Sequence, residues 1–430
     1  MKAFILAGGK GTRLSDITKG EIPKPMANLL GKPIIGHVID NLIDNGITDI
    51  IISVGHLSHV IKDYLGNGEN FGVKITYVEE TSPLGSGGAL YYLKDLVDGD
   101  FVVCPGDALF DVDLNRMESF HKQKGGLITL FAHPNLHPYD SDLIIADNFG
   151  LVKDFHFKNL PRDFYYKNCV NAGIMIINSK ALESITELKK MNMEHDFVFP
   201  FIAKNQVYAY LSPEYVKDVG TSERFNKAEK DLLNNIPKKK NLKNKQKAIF
   251  LDRDGTINVY KNFIKSANDI ELLPTVPEAI GLINQSEYLA IVVSNQPVIA
   301  RGEATFDEVE KMFDKIHTLL GEKGVYLDGV YYCPHHPHKG FDGEVKELKI
   351  DCDCRKPKIG MLRKAEKDFN LDLSSCVMVG DSDLDVLTGK NAGIKSVRVT
   401  TGQDSKGEAV ADFTASSLEQ AIAWILENNN

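Results

Sequence analysis

The chain has 430 residues, more than one ordinary domain needs and enough for two, each burying its own core. A composition of 43% hydrophobic and 25% charged residues suits a soluble globular protein, and a formal net charge of −9 argues against nucleic acid as the main partner. The opening "MKAFILAGGKGTRL" turns glycine-rich too soon for a signal peptide, no later apolar run reaches membrane-spanning length, and six cysteines are too few for a disulfide scaffold, so the expectation is a cytoplasmic protein with no membrane partner.

In chain order, "AFILAG", "DIIISVG", "VKITYVE", "FVVCPGD" and "AGIMIIN" are short, β-branched runs separated by helical stretches. Then "NKAEKDLLNNIPKKKNLKNKQK" (226–247) breaks the pattern. It is dense in Lys and Asn, and with no aromatics among the lysines it reads as a solvated linker, not a nucleic-acid patch. Beyond it come "KAIFLDRDG", "LAIVVSNQ", "VMVGDSD" and "SVRVT". Apolar strands that stop at Gly, Asp, Ser or Asn before a helix mark parallel sheets with their chemistry at the strands' carboxyl ends. The expected fold class is α/β: two tandem three-layer domains with mostly parallel sheets, at 1–228 and 246–430, joined by a linker over 229–245. No short-period repeat interrupts them.

"FILAGGKGTRL" (4–14) is a strand entering a glycine-rich loop. Gly8, Gly9 and Gly11 let phosphates approach backbone N–H groups, and Lys10 and Arg13 add charge where pyrophosphate would depart. The spacing is neither that of a P-loop nor that of a dinucleotide turn. Lys24 follows between two prolines in "EIPKPM", then "PLGSGGAL" (83–90), "VVCPGD" ending in Asp107, "VNAGIMIIN" (170–178) and "VKDVGTSERF" (216–225). Asp107 and Asp218, at two strand ends, suit one shared Mg²⁺ between nucleotide and sugar phosphate.

This set resembles the sugar-1-phosphate nucleotidylyltransferases, with a Rossmann-like fold, across nearly all of residues 1–225. The resemblance implies in-line attack of a sugar 1-phosphate on the α-phosphorus of a nucleoside triphosphate. It implies Arg13 and Lys24 as charge stabilisers. Leu6, Ala7, Gly8, Gly9, Gly11, Thr12, Gly85, Ser86 and Gly87 would cradle the nucleotide, and Asn171 and Gly173 would line the sugar site. "GLVKDFHFKN" departs from the family's usual Glu-Lys-Pro and leaves Lys158 as the sugar-phosphate lysine. His37, His56 and His59 read as ordinary residues, because the phosphate nucleophile is already ionised.

In the second half, "KAIFLDRDGT" stops at Asp252 and Asp254, "IVVSN" at Ser294 and Asn295, and "VMVGDSDLD" at Asp381, with Asp385 one turn on; "CRKP" carries Lys356. A carboxylate nucleophile, a hydroxyl, a lysine and a second acid on one rim suit phosphoryl transfer. The order of these motifs resembles the haloacid dehalogenase-like phosphatases. It implies Asp252 as nucleophile, Asp254 as general acid/base, Ser294 and Lys356 on the phosphoryl group, and Mg²⁺ among Asp252, the Asp254 carbonyl and Asp381.

Between these motifs, "CPHHPHKGFDGEVKELKIDCDCRKPKIGM" (333–361) gathers three of the six cysteines. Cys333, Cys352 and Cys354 with one imidazole offer a closed tetrahedral Zn²⁺ site of structural type, pinning a loop beside Arg355 and Lys356. His335, His336 and His338 compete for the fourth place; His335 is favoured because Cys-x-His mirrors Cys-x-Cys. "FLDRDGTIN", "SNQPVIARG", "CPHHP" and "CDCRKPKIGM" are similar to the heptose 1,7-bisphosphate 7-phosphatases of this zinc-loop group. That implies substrate contacts from Asn295, Gln296, Arg301 and Arg355. Pro297-Val298 and Ser382 depart from the family pattern near the sugar side.

Together the halves imply removal of a heptose 7-phosphate followed by guanylyl transfer from GTP to the 1-phosphate, with small-molecule partners. The rival expectations are a different phosphometabolite, such as histidinol phosphate, paired with UTP, CTP or dTTP, and a non-catalytic sugar-nucleotide regulator.

Overall fold

The computed structural model describes residues 1–9, 14–402 and 407–428. The chain divides into two compact units. One comprises Met1–His133, Asp142–His156 and Val170–Asn241; the other comprises Pro134–Ser141, Phe157–Cys169 and Leu242–Asn430.

The first unit is built on strands β1 (Lys2–Ala7), β2 (Asp49–Val54), β3 (Lys74–Glu79) and β4 (Asp100–Pro105), in spatial order β4-β1-β2-β3 and parallel throughout. Helix α1 (Ile34–Asp44) lies between β1 and β2 in sequence, the crossover that parallel pairing requires. Ala3, Ile5 and Ala7 point into one apolar cluster with Ile35 and Val38 of α1, while Phe4, on the other face, is also fully buried. Burial on both faces is why these strands read as unbroken apolar runs.

After β4 come β5 (Ala108–Asp111), β6 (Ile128–His133), β7 (Leu143–Ala146), β8 (Val152–His156), β9 (Val170–Asn178), β10 (Val207–Leu211) and β11 (Tyr215–Asp218). β9 lies antiparallel to β4, β6 and β7, so the parallel core continues into an antiparallel extension. A separate ribbon pairs β11 with β5, Asp218 opposite Ala108. That pairing carries Asp218 back to the region just beyond β4.

The Lys/Asn-rich stretch is more ordered than its composition suggests. Helix α2 (Ser222–Leu233) is capped by Thr221, whose hydroxyl accepts from the Arg224 N–H, and α3 (Ile236–Lys240) begins with Pro237 in its first turn. Leu232 and Ile236 pack against a cluster containing Leu29, Tyr215, Phe225 and Ala228. A few apolar anchors at helical spacing fold a segment whose average polarity reads as linker.

In the second unit, β12 (Lys247–Leu251), β13 (Tyr288–Asn295), β14 (Gly329–Cys333), β15 (Val377–Gly380), β16 (Lys395–Val399) and β17 (Phe413–Ala415) form an all-parallel sheet in the order β14-β13-β12-β15-β16-β17. Ile249 stands opposite Ala290 on one side and Val377 on the other. The connecting helices are α4 (Val276–Gln285), α5 (Phe306–Glu322), α6 (Gly360–Phe369), α7 (Asp383–Ala392) and α8 (Leu418–Asn428). α4, α5 and α8 cover one face, and α6 covers the other with Met361, Leu362, Ala365 and Phe369, which completes three layers. α5 starts at a capping box between Thr305 and Glu308. Among the described residues no helix is long and apolar enough to cross a membrane.

Candidate active sites and metal centre

β12 is the central strand of the second sheet, and Asp252 is the first residue beyond its carboxyl end. Its neighbours β13 and β15 deliver Ser294 and Asp381 to the same rim. The Lys356 ammonium, 4% exposed, donates to Asp252 Oδ1 at 2.7 Å and Asp385 Oδ1 at 2.5 Å. Asp385 is held by the Ser382 N–H at 3.1 Å and hydroxyl at 2.6 Å, the capping box of α7. Asp252, Asp381 and Asp385 can direct carboxylate oxygens within 4.8 Å of one another.

Three buried carboxylates against one ammonium leave an excess of negative charge. Burial pushes Asp252 above the ordinary carboxylate range; Lys356 opposes this, and Asp385, Asp254 and Asp381 add to it. Burial works against the charge of Lys356, but Asp252 and Asp385 outweigh it and hold the ammonium above its usual range. The residues therefore fit a hard divalent cation with oxygen ligands. Gly255 is required here: its φ is +77°, and a Cβ would fall 2.7 Å from Asp381 Oδ2.

Of the expected sugar contacts, Asn295 is turned to the backbone of Lys356, accepting from its N–H at 3.0 Å and donating to its carbonyl at 3.2 Å. Gln296, 2% exposed, donates to Ser294 Oγ at 2.9 Å and Asp254 Oδ2 at 3.3 Å. Both side chains brace neighbouring site residues. The Arg301 guanidinium lies between the rings of Phe263 and Phe341, at 4.0 and 4.2 Å from their centroids. Arg355 donates to the His335 carbonyl at 3.1 Å, which ties it to the cysteine loop.

The cysteines are free thiols. Cys354 Sγ lies 3.2 Å from Cys333 Sγ and 3.2 Å from Cys352 Sγ, and His335 Nδ1 lies 3.3 Å from Cys354 Sγ. These spacings are far beyond a disulfide bond and close to the ~3.8 Å edge of a tetrahedron with metal–sulfur bonds of ~2.3 Å. Hydrogen bonding from Cys333 leads the causes that pull the Cys354 thiol down to about 5. His336, a rival candidate, has its Nδ1 3.3 Å from the His338 carbonyl oxygen, and the four-residue group contains His335 alone of the three histidines.

In the first unit, Lys24 sits in a short turn between Pro23 and Pro25. Its ammonium, 6% exposed, lies 3.0 Å from Asp107 Oδ2 and 3.0 Å from Asp218 Oδ1. Arg224 reaches the other Asp218 oxygen at 3.0 Å. Both aspartates remain about two-fifths exposed, so the cluster opens to solvent. Gly8 lies beneath Glu80, where a Cβ would fall 2.3 Å from Oε1, and Gly9 has open space above it. Leu6 and Ala7 close β1, the Leu6 carbonyl accepting from the Gly106 N–H at 2.9 Å. Lys10, Gly11, Thr12 and Arg13 lie outside the described residues.

Gly85 has φ +73°, and its missing Cβ would fall 2.4 Å from the Met191 carbonyl oxygen. At Gly87 a Cβ would fall 3.1 Å from the Met193 Cα, and the Ser86 hydroxyl accepts from the Met193 N–H at 2.8 Å. The glycine turn is thus fixed by the 191–193 backbone. Asn171 donates to Glu194 at 3.1 Å and accepts from the Gly173 N–H at 3.1 Å, φ +74° at Gly173. Lys158 is exposed and belongs to the segment grouped with the second unit.

A nucleotidyl transferase family model matches residues 2–235, and a HAD-hydrolase-like model matches residues 353–421. The chain belongs to the nucleotidyl transferase family. Its second half is 38% identical over 184 residues to the D-glycero-beta-D-manno-heptose-1,7-bisphosphate 7-phosphatase of Haemophilus ducreyi, a match spanning 42% of this chain and 98% of that protein. Among solved structures, HddC from Yersinia pseudotuberculosis is 26% identical with a TM-score of 0.47, covering 54% of this chain and 99% of that one. The D,D-heptose 1,7-bisphosphate phosphatase of B. bronchiseptica, complexed with magnesium and phosphate, is 28% identical with a TM-score of 0.37, covering 42% and 98%.

Four residues that the motifs did not single out stand in these sites. Glu80 and Glu194 are acids whose carboxyls burial raises, each beside a predicted glycine or asparagine. Neither lies in a pattern that local spacing reveals. Asn258 donates to Asp254 Oδ1 at 3.0 Å, and Arg253, inside the "DRDGT" motif itself, is 1% exposed. An arginine set directly between two motif aspartates was the available signal.

Proposed function

We propose that the protein is a bifunctional enzyme of sugar-nucleotide synthesis. Residues 246–430 remove the 7-phosphate of D-glycero-D-manno-heptose 1,7-bisphosphate. Residues 1–228 then transfer GMP from GTP to the heptose 1-phosphate and release pyrophosphate. One observation carries this reading: in each unit a buried lysine ties together carboxylates from separate elements, Lys24 with Asp107 just beyond β4 and Asp218 at the end of β11, Lys356 with Asp252 just beyond β12 and Asp385 in the first turn of α7. Such clusters bind the phosphate oxygens and the cation of phosphoryl transfer.

In the phosphatase, an Asp252 oxygen attacks the 7-phosphate. The bond from phosphorus to the C7 oxygen breaks with its electron pair on that oxygen, which takes the Asp254 proton. Water then attacks the phosphorus of the aspartyl phosphate, Asp254 accepts the water proton, and Asp252 and orthophosphate are released. Ser294 and Lys356 hold the phosphoryl oxygens, and Arg301 and Arg355 face the anionic remainder of the sugar. Mg²⁺ held by Asp252, the Asp254 carbonyl and Asp381 would neutralise phosphate charge. Zn²⁺ on Cys333, His335, Cys352 and Cys354 would be structural, fixing the backbone that enters Arg355 and Lys356.

In the transferase, Asp107 and Asp218 would hold Mg²⁺, and Arg13 and Lys24 oppose the charge of departing pyrophosphate. Leu6 to Gly9, Gly11, Thr12 and Gly85 to Gly87 receive the nucleotide, while Asn171 and Gly173 meet the sugar phosphate. Glu80 favours guanine. A carboxylate only accepts, matching the N1–H and N2–H donors of guanine and clashing with the ring acceptors of adenine and cytosine. A reaction that consumes GTP suits the cytoplasm.

The test is a one-pot reaction with Mg²⁺ and either anomer of the heptose bisphosphate, with GTP, ATP, CTP, UTP or dTTP in parallel, read by mass spectrometry. The expected product is a GDP-heptose with GTP alone, lost in Asp252→Asn and in Asp107→Ala. Orthophosphate without any nucleotide sugar would overturn the transferase half; no turnover of either anomer would overturn the heptose assignment.

A further inference from the structure

Arg253 heads the fully buried large side chains of the described residues, with 1% of its surface exposed. Placing a guanidinium out of water is costly unless its charge and N–H groups are matched. Asp254 supplies the match. Arg253 Nε donates to Asp254 Oδ2 at 3.1 Å, and Nη2 donates to Oδ1 at 3.0 Å and to Oδ2 at 2.8 Å. Nη1 points at the Met312 sulfur, 3.7 Å away, and the guanidinium carbon lies 5.4 Å from the centre of the Phe313 ring. Both contacts come from α5, so the plane of the fork is set by a packed helix face.

Asp254 receives two more bonds, from Asn258 Nδ2 to Oδ1 at 3.0 Å and from Gln296 Nε2 to Oδ2 at 3.3 Å. The carboxylate is thus held from its own strand end, from the following turn and from the end of β13. Arg253 supplies three of these contacts and grips both oxygens. The longest bond, from Gln296, is the one most readily exchanged for the oxygen of a leaving group or the proton of water.

We propose that Arg253 is a positioning residue for the general acid/base, fixing the Asp254 carboxyl in the rotamer that meets the leaving oxygen. This rests on the acid/base reading of Asp254. Proton donation in place contributes ~10²- to 10⁴-fold to departure of a poor leaving group. A carboxyl free to rotate loses part of that factor. A leaving group that departs as a stable anion needs little of it.

The measurement is kcat/KM, which reports the steps through departure of the leaving group, for two substrates. One is D-glycero-D-manno-heptose 1,7-bisphosphate, with an alkoxide leaving group; the other is p-nitrophenyl phosphate, with a stable phenolate. The aryl-to-alkyl ratio within one sample is independent of how much of the protein is folded. Asp254→Ala should raise this ratio about 100-fold, and Arg253→Met about 10-fold or more. Arg253→Lys keeps the charge without the two-pronged fork and should fall between Arg253→Met and the parent. A raised ratio in Asp254→Ala with both Arg253 variants near the parent ratio would overturn the positioning role and leave the acid/base reading intact. An unchanged ratio in Asp254→Ala would overturn that reading and the proposal with it.

Discussion

Replacing Asp385 with asparagine keeps the shape of a side chain that is 1% exposed and removes its charge. In the parent, Oδ1 accepts from the Lys356 ammonium at 2.5 Å while Oδ2 accepts from Ser382. An amide has one accepting oxygen, so one of those donors would meet an NH₂ group instead. A hydrogen bond to a charged partner is worth ~1.5–3 kcal/mol, which corresponds to about 10- to 150-fold in rate. Lys356 would keep only Asp252 as a partner, and the pair would tighten around the nucleophile. We predict that Asp385→Asn lowers phosphatase kcat/KM by that factor. The transferase half of the same chain is the control: orthophosphate and pyrophosphate release measured on one sample separate a local loss from misfolding. The Mg²⁺ dependence separates the two roles that Asp385 can have. If the side chain positions Lys356, the apparent Mg²⁺ constant stays within about threefold of the parent; a rise of about tenfold would make it a metal ligand and refute the reasoning. Phosphatase activity close to that of the parent would refute it too.

Further outcomes follow from other contacts. Cys354→Ser should lose bound zinc, measured by elemental analysis, and lower phosphatase activity about 10- to 100-fold with guanylyl transfer retained; equal loss of both would exclude a local role. Glu80→Gln should cut kcat/KM for GTP about 10- to 100-fold and erase the preference for GTP over ITP, which lacks the 2-amino group. An unchanged GTP-to-ITP ratio would remove Glu80 from base recognition. Asp314 is raised to about 7 by burial, with Lys167 opposing and Glu310 adding. A carboxyl whose folded pKa is raised contributes stability in full below its unfolded value near 4, and loses it as pH rises through 7. Asp314→Asn should therefore match the parent near pH 4 and be about 1–4 kcal/mol more stable at pH 8. Urea unfolding followed by Trp424, the single tryptophan, stacked on Phe413 at 4.8 Å, checks this. A difference that does not vary with pH would contradict it.

What could be read in advance follows the range of the interaction involved. Cys333, His335, Cys352 and Cys354 announce themselves because each pair of ligands is two residues apart and the residue types are rare. The alternation of apolar strands with helices is equally local, and β12, β13, β15 and β16 of the second sheet fall on the four runs it marks, while β14 and the short β17 do not. Asp107 and Asp218 are more than a hundred residues apart, and their meeting on Lys24 depends on the β5–β11 ribbon, which no periodicity encodes. Asn295 and Gln296 are expected as substrate contacts, whereas in the structure they brace Lys356, Ser294 and Asp254, because direction is set by the neighbouring strand and loop. The helices at 222–240 were hidden by their lysines, since Leu232 and Ile236 are too few to shift the average.

The second compact unit is discontinuous in sequence, since it includes Pro134–Ser141 and Phe157–Cys169. The Tyr166 N–H donates to the Thr318 hydroxyl at 2.9 Å, a bond between residues 152 positions apart. On a ribosome adding ~5–20 residues per second, Tyr166 would wait roughly 8 to 30 s for α5 to be made. The parallel strands β1 to β4 are complete long before then. Translation itself thus sets an order of assembly in which the stretch around Tyr166 emerges early and is covered late, while its neighbours are already folded.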